Sequence, residues 1–239
     1  MRRAVRRPAS VADRSVLPMA TVTAGARADT IRSMTKLQIR SIKPPFDDPE
    51  ATDAAVDVLK AMESMGLLPD DVEELTLDVV RSAATRAAEA GIGESAAASL
   101  RSRVSRPPGY LAAALRELQL ALEGSPLPAF EWPAMVELFG VERLAALLGI
   151  SVASLRRYAG DQRPTPDVVA ARLHVLARIV AELRGAYSEV GVRRWFERAR
   201  SQLGGRSPDS FLSGDWDPDG ADAERVLALA RSLTGSPAT

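Results

Sequence analysis

Apolar residues recur at helical spacing along most of this chain. After residue 47, Ala55, Val56, Val58, Leu59 and Met62 form one stripe that stops near Gly66. Positions three and four apart share a helix face, so this spacing predicts a helix with one buried side. Residues 68–71 are expected to open another helix, with Pro69 and the following acids suited to its first turn. Leu75, Leu77, Val79 and Val80 continue that pattern to Gly91. A weaker helix is expected over 94–104. Tyr110, Leu111, Leu115, Leu118 and Leu122 then form a clear amphipathic stripe after the breaker at 107–109. Residues 130–133 lead into a helix that ends at Gly140. The longest helix is expected from Pro166 to about Tyr187, with Thr165 as its N-cap and Val169, Leu173, Leu176, Ile179, Val180 and Leu183 as its core stripe. Further helices are predicted over 190–202 and 222–233, with a short turn capped by Ser207 and opened by Pro208 between them. Only residues 37–42 alternate apolar and polar, as a short strand would. The predicted fold is all-α and multi-helical.

Breakers and charge divide the pattern. Residues 1–43 carry ten basic groups against Asp13 and Asp29, and the first 35 residues lack helical periodicity. This segment is expected to be a basic, mobile arm. An N-terminal helical domain follows over 44–125, where residues 44–80 hold eleven acids against Lys60. The Gly- and Pro-containing stretch 124–128 reads as a boundary. A DNA-binding region then spans 126–187, and a small C-terminal helical half spans 188–239. Residues 135–206 have twelve basic groups against seven acidic ones, although the whole chain is formally neutral. A basic middle between acidic segments suits a protein that meets DNA with one part only.

Residues 141–158 carry the most specific pattern. Two short helices around a tight turn need a residue without a Cβ at the bend, and Gly149 stands there. Ala145 permits close approach. Leu144, Leu148, Ile150, Leu155 and Tyr158 fall where a helix-turn-helix buries its shared core. Ser151 is placed to cap the second helix. Ser151, Ala153, Ser154, Arg156 and Arg157 are expected to point outward, with Arg163 just beyond, as short polar and guanidinium groups suit base edges and phosphates. Arg172, Arg178 and Arg184 add to the basic count on the next helix.

Enzymatic chemistry has little material. There is no cysteine and one histidine, His174, which is expected at the surface or half-buried on its helix. That removes thiolate and zinc sites and most nucleophilic catalysis. Asp215, Asp217, Asp219 and Gly220 imitate the start of a calcium loop, but Val226 stands where its bidentate carboxylate belongs. Glycines 91 and 93 are too few to cradle phosphate. The expectation is a protein that is not an enzyme, with no catalytic residue, metal or cofactor. No stretch is apolar enough to span a bilayer, and the basic start precedes no apolar signal core. A cytoplasmic protein is expected.

The order of these elements ends in the turn Leu203-Gly204-Gly205-Arg206-Ser207-Pro208, followed by Phe211-Leu212. Over about residues 134–234 this resembles the Xre/MbcA/ParS family of antitoxins. Taken whole, the chain also resembles mycobacterial antitoxins of the VapB class. The first resemblance implies an Xre-like DNA-binding half joined to a small helical toxin-binding half, with Trp195, Phe196, Arg206, Phe211 and Leu212 in the latter. It implies a RES-domain, NAD-consuming toxin as partner, whereas the second implies a PIN-domain ribonuclease. Both imply an antitoxin that neutralises a toxin, binds operator DNA and acts as a homodimer. The alternative is a stand-alone helix-turn-helix regulator with an N-terminal dimerising or sensing domain. Adjacent aromatics cannot share one helix face, so one of Trp195 and Phe196 is expected to point away from the core. The acidic stretch 215–219 either reaches into a basic toxin site or is a solvated loop.

Overall fold

The computed structural model describes residues 36–234 except 69, 103–106 and 108. Residues 1–35 of the arm expected over 1–43 therefore lie outside the described residues. Its last part does not belong to an arm, because β1 (Leu37–Ile42) is a strand with alternating burial, as its pattern predicts. It pairs in parallel with β2 (Val72–Leu75). Between them runs α1 (Pro49–Ser64), capped by Asp48, which accepts from the Ala51 N–H. Glu63, 5% exposed, ties the sheet to α1. Its Oε1 accepts the N–H groups of Lys36 and Leu37 at 2.6 and 3.1 Å.

Strand β2 corrects the helix expected from residue 69. Val72 and Leu75 face inward while Glu73 and Glu74 stay exposed, and the edge offered by β1 decides the conformation. The helix begins only at Leu77, where Thr76 Oγ1 accepts from the Val79 N–H, and runs as α2 (Leu77–Glu89). Next come α3 (Glu94–Arg101) and α4 (Tyr110–Glu123). Then follow α5 (Pro128–Phe139), α6 (Val141–Leu148), α7 (Val152–Ala159) and α8 (Asp167–Arg184). The chain closes with α9 (Glu189–Glu197), a 3-10 turn at Ser201–Leu203, α10 (Pro208–Phe211) and α11 (Ala221–Thr234). The fold is thus mainly helical, with one two-stranded sheet among the described residues. No helix among them is long and apolar enough to cross a membrane.

Helix α8 is the spine. It carries ten buried residues and packs against α1, α5, α6, α9 and α11. Helix α1 lies between α4 and α8, so the N-terminal helices share a core with the later ones. The stretch 124–128 is accordingly a short connection inside one body. Two polar clusters hold that connection. His174, 4% exposed rather than surface-facing, approaches Glu131 Oε1 with Nδ1 at 2.6 Å and the Glu123 carbonyl with Nε2 at 2.9 Å. A carbonyl only accepts, so Nε2 carries a hydrogen, and Nδ1 and the fully buried Glu131 carboxyl share the next one. The Glu123 carboxylate meanwhile receives Arg178 and Arg231 at 3.3 and 3.1 Å. Gly66, which ends α1 at φ 73°, passes so close to Phe130 that any Cβ would overlap that residue's carbonyl oxygen.

Candidate nucleic-acid interface

Helices α6 and α7 form the helix-turn-helix. The end of α6 is a Schellman motif: Ile150 N–H donates to the Ala145 carbonyl at 3.0 Å and Gly149 N–H to Ala146 at 3.2 Å. Gly149 adopts φ 67°, in the left-handed region. Its second constraint is steric, because a Cβ here would overlap the carbonyl oxygen of Gly214. Ser151 then caps α7: its Oγ accepts the Ser154 N–H at 3.1 Å, and its hydroxyl donates to Ser154 Oγ at 3.0 Å.

One residue of α7, Leu155, is fully buried, at 1% exposure. Around it Val152, Tyr158 and Ala159 are half-buried, and Tyr158 stacks on Trp132 with centroids 6.4 Å apart. Trp132 in turn donates through Nε1 to Thr165 Oγ1 at 3.0 Å, so Thr165 braces α5 and does not cap α8, which starts one residue after Pro166. The opposite face of α7 presents Ala153 and Arg157 at its centre, with Arg156 at its edge, all exposed; Ser151 is exposed and Ser154 half-buried at its start. Arg163 is exposed in the loop that follows. The side chains of Arg156, Arg157 and Arg163 make no hydrogen bond or ion pair among the described residues. The helix ends in a second Schellman motif with Asp161 at φ 54°, a left-handed position that Asp tolerates better than most residues.

The arginines of α8 behave differently. Arg178 pairs with Glu123, and Arg184 with the buried Glu63 at 2.7 Å. Arg172 is 5% exposed and holds the turn of the motif. Its Nε donates to the Trp216 carbonyl at 2.7 Å, Nη1 to the Leu148 carbonyl at 3.1 Å and Nη2 to Asp215 at 2.6 Å. Its guanidinium also lies 5.6 Å from the centroid of the Trp216 ring. Trp216 donates its own Nε1–H to the Leu147 carbonyl at 2.7 Å. Two carbonyls that α6 leaves open at its C-terminus are thereby satisfied by a side chain of α8 and by Trp216. The stretch 215–219 is not a free acidic loop, since Trp216 inserts against the helix-turn-helix.

The expectation for Trp195 and Phe196 is also corrected. Both are buried, at 1% and 0% exposure. Helix α9 is short and covered by α5, α8 and α10, so two adjacent faces can both be packed. Phe196 meets Phe139 edge-to-face at 5.0 Å, and the Arg200 guanidinium covers Trp195 at 5.3 Å. Phe211 and Leu212 are buried too. Of the five residues placed in a toxin-binding half, only Arg206 is exposed; it donates to the Ser210 carbonyl at 2.7 Å and lies over Phe211.

Arg143 joins α6 to the C-terminal helices. It donates to Glu197 at 2.6 Å, to the Arg193 carbonyl at 3.0 Å and to Asp209 at 2.9 Å. Burial pushes the Asp209 carboxyl above its ordinary range, and Arg143 only partly offsets this. Sequence reasoning missed Arg143, Arg172 and Trp216 as organisers of the motif. The one available signal was a tryptophan set among acids in an otherwise polar stretch. Among the described residues no group of acids and histidine is arranged to hold a metal ion. No protein-family model matches this chain, and comparison with curated proteins and with solved structures returns no match either.

Proposed function

We propose that this chain is an antitoxin that binds operator DNA through α6 and α7 and neutralises a cognate toxin by direct contact. The observation that carries the DNA-binding part is the outward face of α7, with Arg156, Arg157 and the following Arg163 exposed and unpaired. Guanidinium groups held without internal partners are available to phosphates and to guanine edges. Two copies related by a two-fold axis would place their recognition helices in successive major grooves of an inverted repeat. The toxin-binding part rests on the sequence resemblance. Its contact surface lies around the exposed Gly204-Gly205-Arg206 turn, since the aromatic residues beneath are core.

The stand-alone regulator remains the second reading, favoured by the burial of Trp195, Phe196, Phe211 and Leu212. One experiment separates the two. The tagged chain is co-expressed with the adjacent open reading frame, purified, and tested against duplex DNA from the shared promoter. Retention of a small toxic enzyme together with promoter binding supports the antitoxin, and the enzyme's fold chooses between ribonuclease and NAD-consuming partner. Promoter binding without a retained partner supports the regulator. Loss of both rejects the two readings together.

A further inference from the structure

We propose that Arg172 and Trp216 are positioning residues for the recognition helix, so that operator reading depends on a loop more than fifty residues beyond it. This rests on the DNA-binding reading above and adds what sets the angle of α7. The turn between α6 and α7 is short, so the direction of α7 follows the last turn of α6. That turn is held from outside. Trp216 fixes the Leu147 carbonyl and Arg172 the Leu148 carbonyl. Arg172 binds the Trp216 carbonyl as well, so the two side chains form one clasp. The Gly214 carbonyl completes it by closing over Gly149. Helix α7 itself contributes one fully buried side chain, which is a weak constraint on orientation. Bidentate base contacts tolerate little misplacement, whereas phosphate contacts tolerate more. A loosened clasp should therefore damage sequence discrimination before it damages general DNA affinity.

The test uses the full chain and a labelled duplex selected by the wild-type protein from a randomised library. Trp216→Phe removes the indole N–H with the five-membered part of the ring system and keeps an aromatic six-membered ring; Arg172→Lys keeps the charge and loses the fork of donors. Each variant is checked for its far-ultraviolet spectrum and melting temperature, then titrated with the selected and a scrambled duplex. The expected result is a loss of about tenfold in affinity for the selected duplex, with scrambled binding and its salt dependence unchanged. A folded Trp216→Phe protein with the wild-type affinity ratio overturns the proposal. Should Arg172→Lys unfold, Trp216→Phe alone decides, because it takes away the hydrogen bond to the Leu147 carbonyl while leaving an aromatic side chain at that place. A wild-type chain that selects no duplex overturns the DNA-binding reading, and this inference falls with it.

Discussion

At the scale of single residues, the proposed interface consists of side chains left over after folding. Arg157 sits at the centre of the exposed face of α7 and has no internal partner. Arg157→Ala is expected to leave stability unchanged and to lower the salt dependence of DNA binding by about one unit of slope. An unchanged slope in fluorescence titrations at several salt concentrations would place the side chain away from phosphate. Asp161 is the opposite case, an exposed acid beside that face. Asp161→Asn keeps a residue suited to φ > 0 and should tighten DNA binding, read in the same titration. Trp195 is a core residue, so Trp195→Ala should cost about 3–5 kcal/mol of stability in urea unfolding, before any effect on a partner is reached. The outward arginines and the Gly149 bend were legible in the sequence because each follows from local spacing. The burial of both adjoining aromatics was not, since it depends on α5, α8 and α10 covering α9 from different sides.

At the scale of elements, local signals set helix starts well. Ser151, Ser188 and Ser207 each cap a helix through the side-chain oxygen. Ser151→Ala should destabilise by about 1 kcal/mol, measurable by urea unfolding, and fray the first turn of α7. Periodicity misjudged residues 72–75 because four residues of strand fit a helical stripe equally well. What decides between them is a partner strand thirty-odd residues away. Helix α9 likewise ends at Glu197, short of the expected 202, because Arg200 and Arg206 pair across the Gly204-Gly205 turn. Such long-range pairings leave no periodic trace.

At the scale of the whole molecule, a boundary expected at 124–128 proved to lie within one core. Composition marked a boundary there, and Gly124 does form a turn. The carboxylate of Glu123, the His174–Glu131 pair and α1 bridge it nonetheless. Removing one member of such a buried pair leaves the other without compensation, so His174→Ala should cost about 3 kcal/mol or more. Separate unfolding of the two sides in calorimetry would contradict this single core. Asp209 gives a pH signature for the contact between α6 and α10. Its folded-state pKa is raised above the ordinary 3.8, so the folded chain binds that proton more tightly than the unfolded one. Its contribution to stability is then fully present below about pH 3.8 and is lost as pH climbs through the raised value. Denaturant midpoints for wild type and Asp209→Asn, compared from pH 3 to 7, should show the wild type's relative advantage shrinking with rising pH.

The sparse anchoring of α7 bears on how this protein could change over evolutionary time. With Leu155 alone fully buried, the outward positions Ala153, Arg156 and Arg157 can be exchanged without repacking anything beneath them. Surface substitutions of that kind usually alter stability by less than about 0.5 kcal/mol. On the proposed DNA-binding reading, a lineage carrying this scaffold could therefore drift from one DNA site to another while its fold, and whatever its other surfaces hold, stays constant.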